Sequence, residues 1–350
     1  MIDAPATDYS QNCILSACGD VRVVRNLKWP QLSLSHLLVE STPGTRLTVL
    51  PGATITVTNQ ITAFGGGNTA FNIQKGGRIE FLGGEEGFYR WAAKGGKHVI
   101  DGTMSVAIPC QGGKDQVYGG EGTLSLSAVE PYSAASAIIL QDMITLELAS
   151  NWVTVSQDAD FPLTLKVASF SSPTLKVDSD WKYGPAADSE TQTDTMSRAL
   201  NIGRSAVFTV DAGGHEVEFA DPVAGEGTLS ITNGTLKLTG AVSEGVTVKL
   251  EDGGALIVGN ECAVGKLEAA GGVLRCIAGG VLECPEIGDL SKLDFEFSGG
   301  VPASWTTVLV SANPISGNVA TSGVESRVVF ADGVYQLQCR KDIGFHIILR

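Results

Sequence analysis

Residues 225–259 read GEGTLSITNGTLKLTGAVSEGVTVKLEDGGALIVG, and no other stretch constrains the fold as tightly. Leu, Ile and Val recur at every second position between glycines in GTLSI, GTLKL, GVTVKL and GGALIV. Alternation with a period of two marks short strands with one buried face, and it does not fit the period of an amphipathic helix. Glycine pairs also stand immediately before strand-like phrases in GGRIEF, GGVLRC and GGVLEC. A backbone that turns a sharp corner every few residues needs positions without a Cβ.

The same grammar runs along the chain. TRLTVLPGATITVT at 45–58 alternates around a Pro-Gly turn, and GGRIEFLGG (76–84), GGKHVIDGTMSVAI (95–108), GEGTLSLSAV (120–129) and DMITLELASNWVTVS (142–156) continue it as far as LDFEF at 293–297. Short strands recurring without a helical segment point to a repeat architecture. The clearest internal echo is GEGTLSLS at 120–127 against GEGTLSIT at 225–232, an offset of 105 residues. That spacing suits five coils of about 21 residues, a plausible length for one turn of a parallel β-helix. Asn-Gly and Asp-Gly pairs, the usual two-residue hairpin turns, occur only in IDGT (100–103), TNGT (232–235), EDGG (251–254) and ADGV (331–334), too few for a sandwich of hairpins. GGVLRC and GGVLEC lie close enough to occupy adjacent faces of one coil.

The expected fold is therefore all-β: a single right-handed parallel β-helix over residues 1–298, interrupted by a long loop or insertion at about 180–203, then C-terminal capping strands over 299–350. The segment 180–203 is polar and does not alternate, and it holds the only plausible short helix. The strands beyond 299 are longer and more apolar, as a cap over a solenoid's open end requires.

Charged residues make up 18% of the 350, and the net charge of −14 opposes contact with nucleic acid or anionic lipid. The longest cationic cluster, Arg22, Arg25 and Lys28, reads as a solvated face. No apolar run is long enough for a membrane helix, so no membrane insertion is expected of this segment. The opening MIDAPATDYSQ lacks the basic-then-apolar order of a signal peptide, as in a mature fragment. The seven cysteines are Cys13, Cys18, Cys110, Cys262, Cys276, Cys284 and Cys339. The spacings in CILSAC and CIAGGVLEC lack a C-x-x-C pair, so buried thiols or local disulfides are expected, with no metal and no cofactor.

Within 206–259, GGHEVEF is followed by GEGTL, then GTLKLTG and GALIV, and Gly225, Gly227, Leu229, Gly234, Leu236, Leu238 and Gly240 form the pattern. This resembles the passenger-associated repeat of autotransporter-type bacterial surface proteins, and the segment before it resembles the linker that introduces such repeats. VSEGVT at 242–247 departs from the family's usual Y-x-G-x-T, and no series of membrane strands resembling a translocator barrel follows. The resemblance implies an exported β-helix at the cell surface, and its motifs are structural rather than catalytic.

Chemistry-bearing residues are sparse. Asp158 with Asp160, Asp178 with Asp180, and Glu85 with Glu86 are the nearest candidates for the paired carboxylates of a carbohydrate-active β-helix; the members of each Asp pair, two apart on a strand, share a face and could flank a sugar or bind calcium. Asp also ends strands and starts turns, which explains the same residues without catalysis. His98 and His215 both follow a glycine pair, which suggests one repeated structural place; His36 and His346 stand apart. Phe88, Tyr89, Trp91, Trp181 and Tyr183 sit in polar, turn-rich surroundings and are the candidate binding residues, for sugar stacking or a partner surface. GGG at 65–67 lacks the Lys-Ser/Thr of a phosphate loop. The reading favoured is a non-enzymatic extracellular adhesin or stalk module whose partner is a surface glycan or a host or cell-surface protein. The alternatives are a polysaccharide lyase or glycosidase, with the four aspartates as its carboxylates, and a phage or surface fibre.

Overall fold

Before the C-terminal cap, successive described strands do not fold back on their sequence neighbours; each pairs in parallel with the strand one coil away. The computed structural model describes residues 13–15, 20–23, 31–39, 46–63, 70–82, 90–91, 97–112, 116–131, 137–148, 164–184, 200–259, 262–317 and 321–342. Its first wall is a 14-stranded sheet running from Cys13–Leu15 to Glu286–Ile287. The second is a 9-stranded sheet from Asp20–Val23 to Val223–Gly225, and the third a 6-stranded sheet from Trp181–Tyr183 to Asp294–Phe297. The described residues form a parallel β-helix with almost no helix.

Alternation explains why these residues stack. On the first wall Leu124, Leu146, Leu175, Val210, Ile231 and Leu250 lie in register on successive strands, and all are buried. Each such side chain withdrawn from water contributes about 2 kcal/mol, so a row of them holds the coils together without any long-range sequence signal. The alternate residues Thr103, Thr123, Thr145, Thr174 and Thr209 form a parallel, half-exposed row of hydroxyls that ends on the buried Ser230. β-Branched threonine suits a pleated, half-exposed surface.

Coil length varies more than the sequence suggests. Thr228 pairs with Thr247 and Thr247 with Lys266, 19 residues per coil. Thr174 pairs with Thr209, 35 residues on, because the chain carries the extra residues 185–199 between two strands. The two GEGTLS phrases consequently lead into strands Thr123–Pro131 and Thr228–Thr232 that are four coils apart, rather than five. The echo itself is structural. Gly120 and Gly225 hold φ of +107° and +113°, and a Cβ on Gly225 would lie 2.0 Å from the Ile202 carbonyl oxygen of the preceding coil.

The expected loop at 180–203 is strand at both ends: Trp181–Tyr183 opens the third wall and Leu200–Ile202 belongs to the second, and 185–199 lie outside the described residues. Both ends do alternate inward and outward, but three residues are too few for the pattern to stand out. GGVLRC and GGVLEC do occupy adjacent faces of one coil, in the strands Val273–Cys276 and Leu282–Glu283.

Of the four Asn-Gly and Asp-Gly pairs, only ADGV makes a hairpin. Asp332 and Gly333 both have positive φ, +54° and +82°, as a type I′ turn requires, and Ala331 faces Val334 across it. This hairpin, Val324–Ala331 with Val334–Lys341, joins Thr306–Ser311 in an antiparallel cap. Thr306–Ser311 also continues in parallel from Leu282–Glu283, so the cap grows directly from the solenoid wall. Leu337 and Cys339 face inward and are buried, whereas Val324–Ala331 forms the sheet edge and carries Glu325 and Arg327. Charges on an edge strand oppose further strand addition. The guanidinium groups of Arg327 and Arg340 lie 4.2 and 4.4 Å from the Trp305 ring centre, fastening the cap's surface by cation–π attraction.

Candidate binding surface at the coil corners

The chain passes from second wall to first through short turns that stack along one corner of the helix. Four of them close with a hydrogen bond from the fourth residue's N–H to the first residue's carbonyl: Ala53 to Leu50, Gly77 to Gln74, Ser171 to Ala168 and Ala206 to Gly203. In each the third residue has positive φ, the requirement of a type II turn. Gly52 (+76°) and Gly76 (+81°) meet it without strain. Ser205 (+56°) and Phe170 (+62°) occupy the same position with a Cβ. A left-handed backbone costs a residue with a side chain about 1–2 kcal/mol, and for a bulky aromatic it is a rare conformation.

Phe170 uses this strained position to face outward: 80% of its surface is exposed, and Met143, in the turn of the preceding coil, is 60% exposed. The two turns are bonded to each other. Asp142 donates its N–H to Ser171 Oγ at 3.1 Å, and Ser172 donates to the Asp142 carbonyl at 2.7 Å. Phe170 itself donates to the carbonyl of Arg204 in the next coil at 3.1 Å. Backbone hydrogen bonds on both sides therefore hold an aromatic ring on the ridge. Exposed polar side chains flank it in sequence and on adjacent coils: Ser169, Ser172, Asp142 and Arg204.

The aromatic residues singled out from sequence have other places. Trp181 and Tyr183 are buried, not surface platforms: as alternate residues of a strand both point inward, where they pack on Phe219 with ring centres 5.9 Å away. The Tyr183 hydroxyl accepts the Leu165 N–H at 3.1 Å, which ties the third wall to the second. Their polar neighbours Lys182 and Asp180 face outward and disguise the burial. Trp91 lies in the short strand Arg90–Trp91, its side chain outside the described residues, as are Phe88 and Tyr89. Phe170 was missed because SFSSP carries no turn-forming Gly; only the stacking of ASFS on LPGA and QKGG identifies its position.

Asp178 and Asp180 are exposed where the first wall passes into the third, and Asp158 and Asp160 lie outside the described residues. Asp180 accepts the Glu216 N–H at 2.9 Å and lies 3.7 Å from His215 Nδ1, so it joins two coils as a turn residue does. His98 and His215 do not share a structural place. His215 precedes a third-wall strand at the surface, whereas His98 is sealed inside the second wall, stacked between Phe71 and Tyr118. Burial pulls the His98 imidazole down to about 4, with the Gln116 hydrogen bond opposing part of the shift.

A cavity of about 340 Å³ lies where the third wall meets the cap, lined by Cys276, Phe297, Thr306, Val308 and the glycine-rich turns at 277–280 and 298–300. Burial and the neighbouring Cys339 push the Cys276 thiol up to about 12, so it is protonated and a poor nucleophile. Among the described residues no group of three or more His, Cys, Asp or Glu is placed to hold a metal ion. No helix among them is long and apolar enough to cross a membrane.

The fold and its surface define a parallel β-helix with a ridge of turns along one corner. No family model matches the sequence, and no significant match exists among curated proteins or solved structures.

Proposed function

We propose that this chain is a non-enzymatic binding module: the stalk- or adhesin-like passenger segment of an exported, autotransporter-like bacterial surface protein, presenting its corner turns to a glycan or cell-surface partner. The observation that carries this reading is the division of labour between walls and turns. Outward wall side chains are bound to one another in ladders, such as Lys182, Glu218 and Lys237 on the third wall, where Glu218 contacts Lys182 at 3.3 Å and Lys237 at 3.1 Å. Such walls are spacers. The strained, outward-facing residue lies in a turn, and strain at an exposed position accompanies recognition more often than packing. The resemblance of 206–259 to the passenger-associated repeat supports surface localisation, because its glycines and leucines serve here as coil corners and core.

The test is to incubate the purified chain with cell-surface preparations and with soluble polysaccharides. Saturable surface binding without release of new sugar ends is the expected result. Cleavage of a polysaccharide at enzymatic rates would overturn the reading in favour of a lyase or glycosidase.

A further inference from the structure

We infer that Phe170 is the stacking platform of a carbohydrate subsite on the corner ridge, taking one pyranose residue of a polysaccharide; this rests on the binding-module reading above and names its ligand class. Three observations carry it. The turn 168–171 closes as LPGA and QKGG do, and their third position is glycine, so the fold requires no aromatic there. Folding gains little from the ring, since 80% of Phe170 faces solvent. The backbone beneath it is nevertheless fixed on both sides, to Arg204 and, through Ser171 and Ser172, to Asp142. A rigid ring presented at a conformational cost, with no packing return, is a preorganised contact surface.

The size and chemistry of the patch select the occupant. A stable protein interface needs about 800 Å² from each partner with a cluster of buried anchors. The ridge offers one ring and the thioether of Met143, interleaved with hydroxyl, carboxylate and guanidinium groups at Ser169, Ser172, Asp142 and Arg204. A pyranose has the complementary form: one face of C–H groups that lies on an aromatic ring, and a rim of hydroxyls that both donate and accept hydrogen bonds. Coil repeat adds reach, because turns on neighbouring coils stand about 4.8 Å apart, within the span of one sugar.

The experiment compares the wild-type chain with Phe170→Gly, Phe170→Trp and Met143→Ala on an array of defined oligosaccharides, followed by titration with the best-bound glycan and thermal melting. Phe170→Gly is expected to melt at a higher temperature than wild type, since glycine relaxes the turn, while losing at least tenfold in affinity. Phe170→Trp keeps binding, and Met143→Ala weakens it a few-fold. Affinity unchanged in Phe170→Gly overturns the subsite while leaving a binding module with its site elsewhere. A lowered melting temperature in Phe170→Gly also overturns it, because the ring would then be a packing element. If the wild type binds cell surfaces but no glycan on the array, the subsite falls and the module stands.

Discussion

The imidazole of His98 and the side-chain amide of Gln116, both sealed in the core, meet at 3.2 Å. His98 Nδ1 accepts the Phe71 N–H at 3.2 Å, so Nδ1 carries no proton and Nε2–H donates to the Gln116 oxygen. A second proton, on Nδ1, would displace the Phe71 N–H and place a charge in a buried site. The folded pKa of about 4 lies below the ordinary 6.5, so the unfolded chain binds the proton more readily. Stability is therefore complete above pH 6.5 and falls as pH drops from 6.5 towards 4, by on the order of 3 kcal/mol. Denaturation across this window should show that slope, and His98→Phe, though less stable at neutral pH, should lose the His98 share of it.

Gly225 and Gly214 both have positive φ, +113° and +92°, but only at Gly225 does a Cβ collide with the coil before it. Nothing lies within 4 Å of a Cβ placed on Gly214. Gly214→Ala should therefore cost only the backbone preference, about 1–2 kcal/mol. Gly225→Ala must also push two coils apart, and should cost about 3 kcal/mol or more. Chemical denaturation of the two variants separates close approach from conformational preference; equal losses would refute the steric account.

This contrast bears on what the sequence made legible. Alternation in GTLSI and GTLKL was enough to place Leu229 and Leu236 inside, and paired glycines were enough to mark corners, because both are local consequences of pleat and turn geometry. Whether DWKY is surface or core was not local. Trp181 and Tyr183 face inward because Val217 and Phe219 lie beside them one coil later, and that pairing depends on a register 36 residues long. The ridge was hidden for the same reason: ASFS becomes a type II turn only when stacked between coils that fix its ends. Coil count failed where residues were inserted, since spacing carries no information about which residues leave the wall.

Cys262, Cys276, Cys284 and Cys339 are buried free thiols, two with pKa values raised by burial to about 11 and two to about 12. At pH 8 each is almost wholly protonated, and reaction needs both exposure and thiolate. Iodoacetamide should leave peptides bearing these four unlabelled in the native protein and label all four after denaturation, as read by mass spectrometry. Rapid native labelling of Cys276 would show that the cavity beside the cap admits reagents and that the thiol is more acidic than its burial implies.

Lys237 stands between two carboxylates of the preceding coil, 3.1 Å from Glu218 and 3.8 Å from Glu216. Burial pushes the Glu218 carboxyl up, but hydrogen bonds from Lys237, Thr239 and Lys182 outweigh it and hold the group below its ordinary 4.5. The contribution of this ladder is thus present above pH 4.5 and is lost as pH falls through the lowered folded value. Because these side chains are partly exposed, removing one cation should cost little, about 0.5–1 kcal/mol, and less as salt rises. Lys237→Met keeps the aliphatic stem over the wall and isolates the charge. Its destabilisation should shrink in high salt and at pH 3, and a loss unaffected by either would mean that the ladder holds the third wall by packing rather than by charge.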